Sequence, residues 1–213
     1  MKRQLPEMPP GIAALDVDAR GWPVPWFVSW TLEACGPDFR VVTRDKVVTA
    51  LRFRLCWCCG QKLGAESVFV VGPMCGVNRI SSEPPSCGEC AAWAVTACPF
   101  LLNPNMRRMP SQDGDWEVGV MVKRNPGVTL LWETRDWEPF QVDGGGILID
   151  LGDPTNVAWI REGRNATREE VDDSIVGGIG QLRDLAQEDG PEAMAELARR
   201  ERALDCLKPG VAA

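Results

Sequence analysis

The chain has 213 residues, 45% hydrophobic and 25% charged, the balance of a soluble globular protein. It contains no histidine and no tyrosine, which excludes every mechanism that needs an imidazole, from Ser-His-Asp hydrolysis to histidine-metal nucleases. The net charge of −7 is uneven, with 12 Lys/Arg against 9 Asp/Glu over residues 1–110 and 11 against 21 over residues 111–213, so nucleic-acid contact is expected only in the N-terminal half.

Residues 1–20, with Pro6, Pro9, Pro10 and Gly11, read as a loose N-terminal arm. Trp26, Val28 and Trp30 alternate behind Pro23 and Pro25, which predicts a strand at a sheet edge with its indoles in the core. Residues 43–54 follow a Thr43 cap and place Val47, Ala50 and Leu51 on one helical face. Residues 67–71 and 77–80 are expected to pair as a hairpin around Gly72-Pro73. Ser86 is the expected cap of a helix through residues 91–97.

Beyond Pro110, Trp116, Val118, Val120 and Val122 alternate, Arg124-Asn125-Pro126-Gly127 turns, and Val128, Leu130 and Trp132 alternate again, so a β-hairpin is predicted. Residues 140–142 and 147–149 form a second pairing around Asp143-Gly144-Gly145-Gly146. No Gly-Lys-Ser/Thr follows those glycines, which makes them a turn and not a phosphate loop. Asp153-Pro154 suits a helix start, with Gly163 as its stop. Thr167-x-x-Glu170 is a capping box opening a longer helix towards Leu185, weakened in its middle by Gly177, Gly178 and Gly180. Gly190-Pro191 separates it from a last helix with Met194, Leu197, Ala198, Leu204 and Leu207.

Nine cysteines without a secretory signal point to metal binding rather than disulfides. Cys56-x2-Cys59 and Cys87-x2-Cys90 lie 27 residues apart and supply four thiolates, enough to close a tetrahedral site. Gly60 after Cys59 marks a zinc knuckle, whereas the second pair leads into helix-forming sequence. Knuckle, hairpin and ligand-bearing helix is the order of a treble-clef finger; a rubredoxin-type iron site wants a second knuckle, so zinc is expected. Cys58 cannot point the same way as both its neighbours, and Cys98 lies about two helical turns beyond Cys90, where it suits a core. Cys75 has no obvious role, and Cys35 and Cys206 have no partner pattern. Four thiolates leave no open coordination position, which marks a structural Zn2+ rather than a catalytic one. Treble clefs occur in HNH nucleases, which the missing histidine excludes. Pro85-Ser86-Cys87-x-x-Cys90 is similar to half of the zinc-deaminase motif, but no His/Cys-x-Glu precedes it.

Several of these motifs together resemble a family of uncharacterised phage and bacterial proteins. They are Pro23-Val24-Pro25-Trp26-Phe27-Val28, Cys56-Trp57-x-Cys59-Gly60, Gly72-Pro73-Met74-Cys75-x-Val77-Asn78-Arg79 and Glu83-Pro84-Pro85-Ser86. Cys90-Ala91-x-Trp93, Ala97-Cys98-Pro99-Phe100-Leu101, Gly163-Arg164-x-Ala166-Thr167 and Glu170-Val171 belong to the same set. In that family the residue matching Cys87 is often histidine, giving a Cys-Cys-His-Cys set. The resemblance therefore supports Cys87 as the third ligand. It also implies a role for Asn78 and Arg79 beyond folding.

The expected fold is α+β in one compact domain over residues 1–213: a treble-clef zinc module over 52–102, an antiparallel β-meander over 115–150 and a helical part over 153–207. The stripe Val171, Ile175, Ile179 and Leu182 is expected to pack on Val118, Val120, Leu130 and Trp132 of the meander, with a homodimer interface as its alternative use. No apolar run reaches the roughly 18 residues of a membrane span, and no signal-peptide stretch follows Met1, so a cytoplasmic protein without membrane contact is expected. The expected function is non-enzymatic binding of a macromolecular partner, protein or nucleic acid, with Asn78, Arg79, Arg107 and Arg108 as candidate contacts. The alternative is a nucleotide- or nucleic-acid-processing enzyme that uses carboxylates in place of histidine.

Overall fold

Trp132, Leu130 and Phe69 are the largest side chains excluded from solvent altogether, and the strands that carry them form the centre of the structure. The computed structural model describes residues 5–31, 36–106, 125–142 and 145–210. In chain order the elements are α1 (Pro10–Ala13), β1 (Val28–Thr31), β2 (Gly36–Val42), α2 (Arg44–Phe53), β3 (Ser67–Val71), α3 (Pro73–Asn78), β4 (Ile80–Ser81) and α4 (Gly88–Ala97). They continue with α5 (Pro99–Leu102), β5 (Thr129–Thr134), β6 (Glu138–Gln141), β7 (Ile147–Asp150), β8 (Pro154–Arg161), β9 (Arg164–Asn165), α6 (Arg168–Asp189) and α7 (Pro191–Asp205). The class is α+β, and among the described residues all strand pairs are antiparallel.

The main sheet has the order β3-β5-β8-β9. Its register sets Phe69 opposite Trp132 and Leu130 opposite Trp159. The alternation of Val128, Leu130 and Trp132 is real, each at most 1% exposed. The partner strand expected over residues 116–122 lies outside the described residues, as do Val118 and Val120. A second sheet, β4-β7-β6, contains the predicted pairing of residues 140–141 with 147–148. β1 pairs with β2 alone, in keeping with its proline-flanked entry. One continuous apolar cluster extends from Ile12 to Leu204.

Four expectations are corrected. Residues 77–80 do not pair with β3. Pro73 stands at the first position of a helix, where proline's fixed φ favours helix over strand, and α3 ends in the left-handed Arg79. Only Ile80–Ser81 is extended, and it joins β7. Residues 154–161 form β8 and not a helix. The Trp159 indole is buried in the sheet, and Glu162-Gly163, both at positive φ, make the tight turn that returns the chain as β9.

The apolar stripe of α6 does not pack chiefly on Leu130 and Trp132 as expected, while its other expected neighbours, Val118 and Val120, lie outside the described residues. α6 lies against α3 and α7, and it is α3 that touches β5. Gly76 makes this possible, because a Cβ there would sit 2.5 Å from Leu130 Cδ2. Finally, the N-terminal arm is not loose: Ile12 is 2% exposed, and the Trp93 indole donates to the Pro6 carbonyl at 3.4 Å.

The capping box is present in full. Glu170 N donates to Thr167 Oγ1 at 3.3 Å, and Thr167 N donates to Glu170 Oε2 at 2.9 Å. Arg164 adds a bidentate pair to the same carboxylate at 2.6 and 2.9 Å. These bonds, that from Arg164 foremost, hold the Glu170 carboxyl down at about 2. A carboxyl depressed in the folded state stabilises the fold above its ordinary value of 4.5, and that stability is lost as pH falls towards 2. Thr167→Ala is expected to cost about 1 kcal/mol in urea titration. Glu170→Gln should remove part of the stability lost on acidification, seen as a shallower dependence of the unfolding midpoint on pH.

Candidate metal centre

The four predicted ligands meet. The Sγ atoms of Cys56, Cys59, Cys87 and Cys90 all lie within 4.8 Å of one another. Cys56 Sγ and Cys87 Sγ are 3.7 Å apart. A metal–sulfur bond of about 2.3 Å gives a tetrahedron with edges of about 3.8 Å, so these sulfurs fit a single tetrahedral ion. Cys56 and Cys90 are 0% and 1% exposed.

Local backbone explains the convergence. Leu55 pairs with Lys62 across the knuckle, and Cys56 N donates to the Gln61 carbonyl at 2.7 Å. The turn closes with Gly60 N donating to the Cys56 carbonyl at 2.8 Å. Gly60 has φ +72°, and a Cβ on it would lie 2.4 Å from Trp26 Cδ1, so both the turn and the packing demand glycine. The second pair sits at the start of α4, with Cys87 itself as the N-cap and Cys90 in the first turn; Ser86, the expected cap, stands one residue earlier. Backbone N–H groups of Cys59 and Cys87 donate to Cys56 Sγ at 3.5 and 3.3 Å. The helix start adds its partial positive charge beside these sulfurs.

The sulfurs are electrostatically coupled. Hydrogen bonds from Cys87 and then Cys90 draw the Cys56 thiol far down, and the same Cys56 interaction pushes Cys90 far up. Burial lifts Cys59 to about 11. With the four sulfurs this close, each negative charge opposes the next, so several thiolates together need a cation to offset the repulsion. A metal ion supplies that charge and releases protons as it binds.

Two structural features of the centre were not legible in the sequence. α1 covers it: a Cβ on Gly11 would lie 3.1 Å from Cys59 Sγ and 3.7 Å from Cys90 Sγ. The only sequence signal was Pro9-Pro10 ahead of Gly11-Ile12, a proline helix start followed by one residue without a side chain and one apolar anchor. The second feature is the aromatic wall of the knuckle. Phe27 stacks on Trp57 at 5.0 Å, Trp26 meets Trp57 edge-on at 6.3 Å, and Lys46 Nζ sits 4.1 Å over the Trp26 ring.

The remaining cysteines lie outside the cluster of four. Cys58 accepts a hydrogen bond from Ser86 Oγ at 3.4 Å, and burial pushes its thiol up to about 12. Cys98 caps α5, and burial raises its thiol too. Cys75 lies in α3 and Cys206 is exposed, while Cys35 falls outside the described residues.

Of the candidate partner contacts, the Asn78 carbonyl accepts from Arg200 Nη1, which ties α3 to α7. Arg79 pairs with Asp153 at 2.6 Å and lies 5.6 Å over the Trp132 ring. Arg107 and Arg108 lie outside the described residues. Among the described residues no helix is long and apolar enough to cross a membrane. No protein-family model, curated protein or solved structure matches the chain.

Cys56→Ala removes a buried ligand and the acceptor of two backbone N–H bonds, and should abolish metal retention and lower stability by several kcal/mol. Gly11→Val is the milder test. It inserts carbon against two ligand sulfurs, and overpacking of this kind costs about 1–3 kcal/mol. The expected result is full metal loading with release to a chelator accelerated at least several-fold.

Proposed function

We propose that this chain is a zinc-stabilised, non-enzymatic binding protein of phage derivation that acts on a macromolecular partner in the bacterial cytoplasm. The observation that carries the reading is the closed ligand set. Four thiolates from a knuckle and a helix start fill a tetrahedron, α1 lies across it, and no coordination position is left for substrate. Zinc suits this set better than iron because the second ligand pair opens a helix instead of a second knuckle. With filled d orbitals it also brings no redox chemistry to a centre whose work is to hold the fold.

The distribution of charge supports binding over catalysis. An acid/base enzyme without histidine needs a carboxyl raised towards neutral pH. Among the described residues, the carboxyls whose titration shifts all shift down. Glu66, Glu170 and Glu196 are held by arginine partners, Asp205 by Lys208 and then Arg168, and Asp18, against desolvation, by the Trp22 backbone N–H and then Arg20. Such pairs are structural.

Purification without chelator followed by elemental analysis should give one zinc per chain; iron, or no metal, contradicts the cofactor assignment. Co-purification from host cells with mass spectrometry of proteins and nucleotides should return a macromolecule. A small nucleotide converted by the purified chain would instead establish the carboxylate enzyme.

A further inference from the structure

We propose that the exposed face of α2, continued by the knuckle at Arg54 and Lys62, binds single-stranded nucleic acid. The proposal rests on the binding-protein reading above and names the partner class.

Residues 44–62 contain five cationic side chains and one acidic, in a chain whose net charge is −7. Four of the cations, Arg44, Arg52, Arg54 and Lys62, are exposed. Among the described residues none of the four has a carboxylate partner within salt-bridge distance. The contrast with the rest of the molecule is sharp. Arg161 of β8, Arg164 of β9, and Arg168 and Arg183 of α6 each meet an Asp or Glu at 2.6–3.3 Å. Most C-terminal cations are paired in place. Among the described residues the cations at positions 44, 52, 54 and 62 meet no carboxylate, Arg44 donating instead to the Gly145 carbonyl at 3.1 Å, and they make a local positive field in an acidic chain.

The architecture holds this charge in a line. Val47, Ala50 and Leu51 bury one side of α2, so Arg44, Val48 and Arg52, spaced by four, share a stripe on the other. At ten residues α2 is about 15 Å long, enough to span several backbone phosphates. Arg54 caps the helix in the left-handed conformation at φ 50°, an uncommon place for a residue with a Cβ. Its guanidinium rests 4.2 Å from the centre of the Trp137 ring. The Leu63 N–H donates to the Arg54 carbonyl at 2.8 Å, which places Lys62 beside Arg54.

An acidic protein segment would satisfy the charge alone. Phe53 selects between the two. It is 56% exposed, the guanidinium of Arg52 lies 5.4 Å from its ring centre, and no other described ring covers it. An open aromatic face flanked by arginine is what an unstacked base requires and what a carboxylate-rich peptide does not use. Duplex DNA keeps its bases stacked and offers Phe53 nothing, so the strand bound is single.

The test is fluorescence anisotropy of a labelled oligo-dT of about 20 nucleotides, longer than a typical single-strand site. The metal-loaded full chain should bind at low salt. The slope of log K against log salt should be no steeper than about −3, because four contacts on a single strand contribute about −0.7 each. The triple variant Arg44→Gln, Arg52→Gln, Lys62→Gln should weaken binding at least tenfold and flatten the slope by about 2 while retaining its zinc. Phe53→Ala should weaken it about tenfold at unchanged slope. Absence of binding at low salt, binding unaffected by the triple variant, or preference for poly-glutamate over oligo-dT would overturn the assignment. If a protein partner co-purifies while oligo-dT fails to bind, only this inference falls. If neither is found, the binding-protein reading falls with it.

Discussion

The knuckle, α1 and the start of α4 depend on bringing four sulfurs within 4.8 Å of each other. Thiolates repel, and burial raises the cost of each negative charge, so the cluster is unfavourable without a cation to offset it. With one, the same geometry becomes a strong crosslink between segments far apart in sequence. It joins the knuckle after α2 to the start of α4, and Gly11 brings α1 across the top. The protein supplies what the ion does not. Amide N–H groups point at Cys56 Sγ, glycine turns the knuckle, and an aromatic wall formed by Trp26, Phe27 and Trp57 backs it.

The rest of the molecule is organised differently. Around β5 the forces are apolar burial and strand pairing, with Trp132, Leu130 and Phe69 fully excluded from water. β3 joins the two regimes, because Val68 exchanges backbone hydrogen bonds with Ser86, the residue before Cys87, and α4 lies against β3 and β5. α3 belongs to the apolar side. It follows directly on β3, packs on β5 through the missing side chain of Gly76, and receives α6 and α7 on its other sides. Gly178 lets α6 approach in the same way, since a Cβ there would meet Met74 Cγ at 2.9 Å. The glycines in the middle of α6, which weaken it as an isolated helix, are thus partly a packing device.

What was legible in the sequence was whatever short-range chemistry determines. The ligand set, the helix with Val47, Ala50 and Leu51, the Thr167–Glu170 box, the alternation through Val128 and Trp132, and the helix break at Gly190-Pro191 all follow from spacing or capping alone. Two of the corrected expectations, at residues 72–80 and 153–163, share one cause, which is that proline and glycine signal a boundary without saying which element lies beyond it. Asp153-Pro154 opens a strand because β5 offers it backbone bonds, and Gly72-Pro73 opens a helix because Pro73 takes its first position, each against expectation. The seat of Gly11 on the sulfurs was invisible for a related reason. A close approach between residue 11 and residue 59 leaves no local pattern, only a small residue where a larger one would collide.

The thiolate centre, added to the apolar packing of Ile12, Trp57 and Leu63, is what holds α1, the knuckle and α4 in order. Amide hydrogen exchange on the metal-loaded chain and on the same chain after metal removal tests it most directly, because it reads each segment separately. Metal removal should strip protection from residues 10–13, 55–63 and 88–97 while β5, β8 and α6 keep theirs. Unchanged protection over those three segments, or uniform loss across the whole chain, would contradict the account.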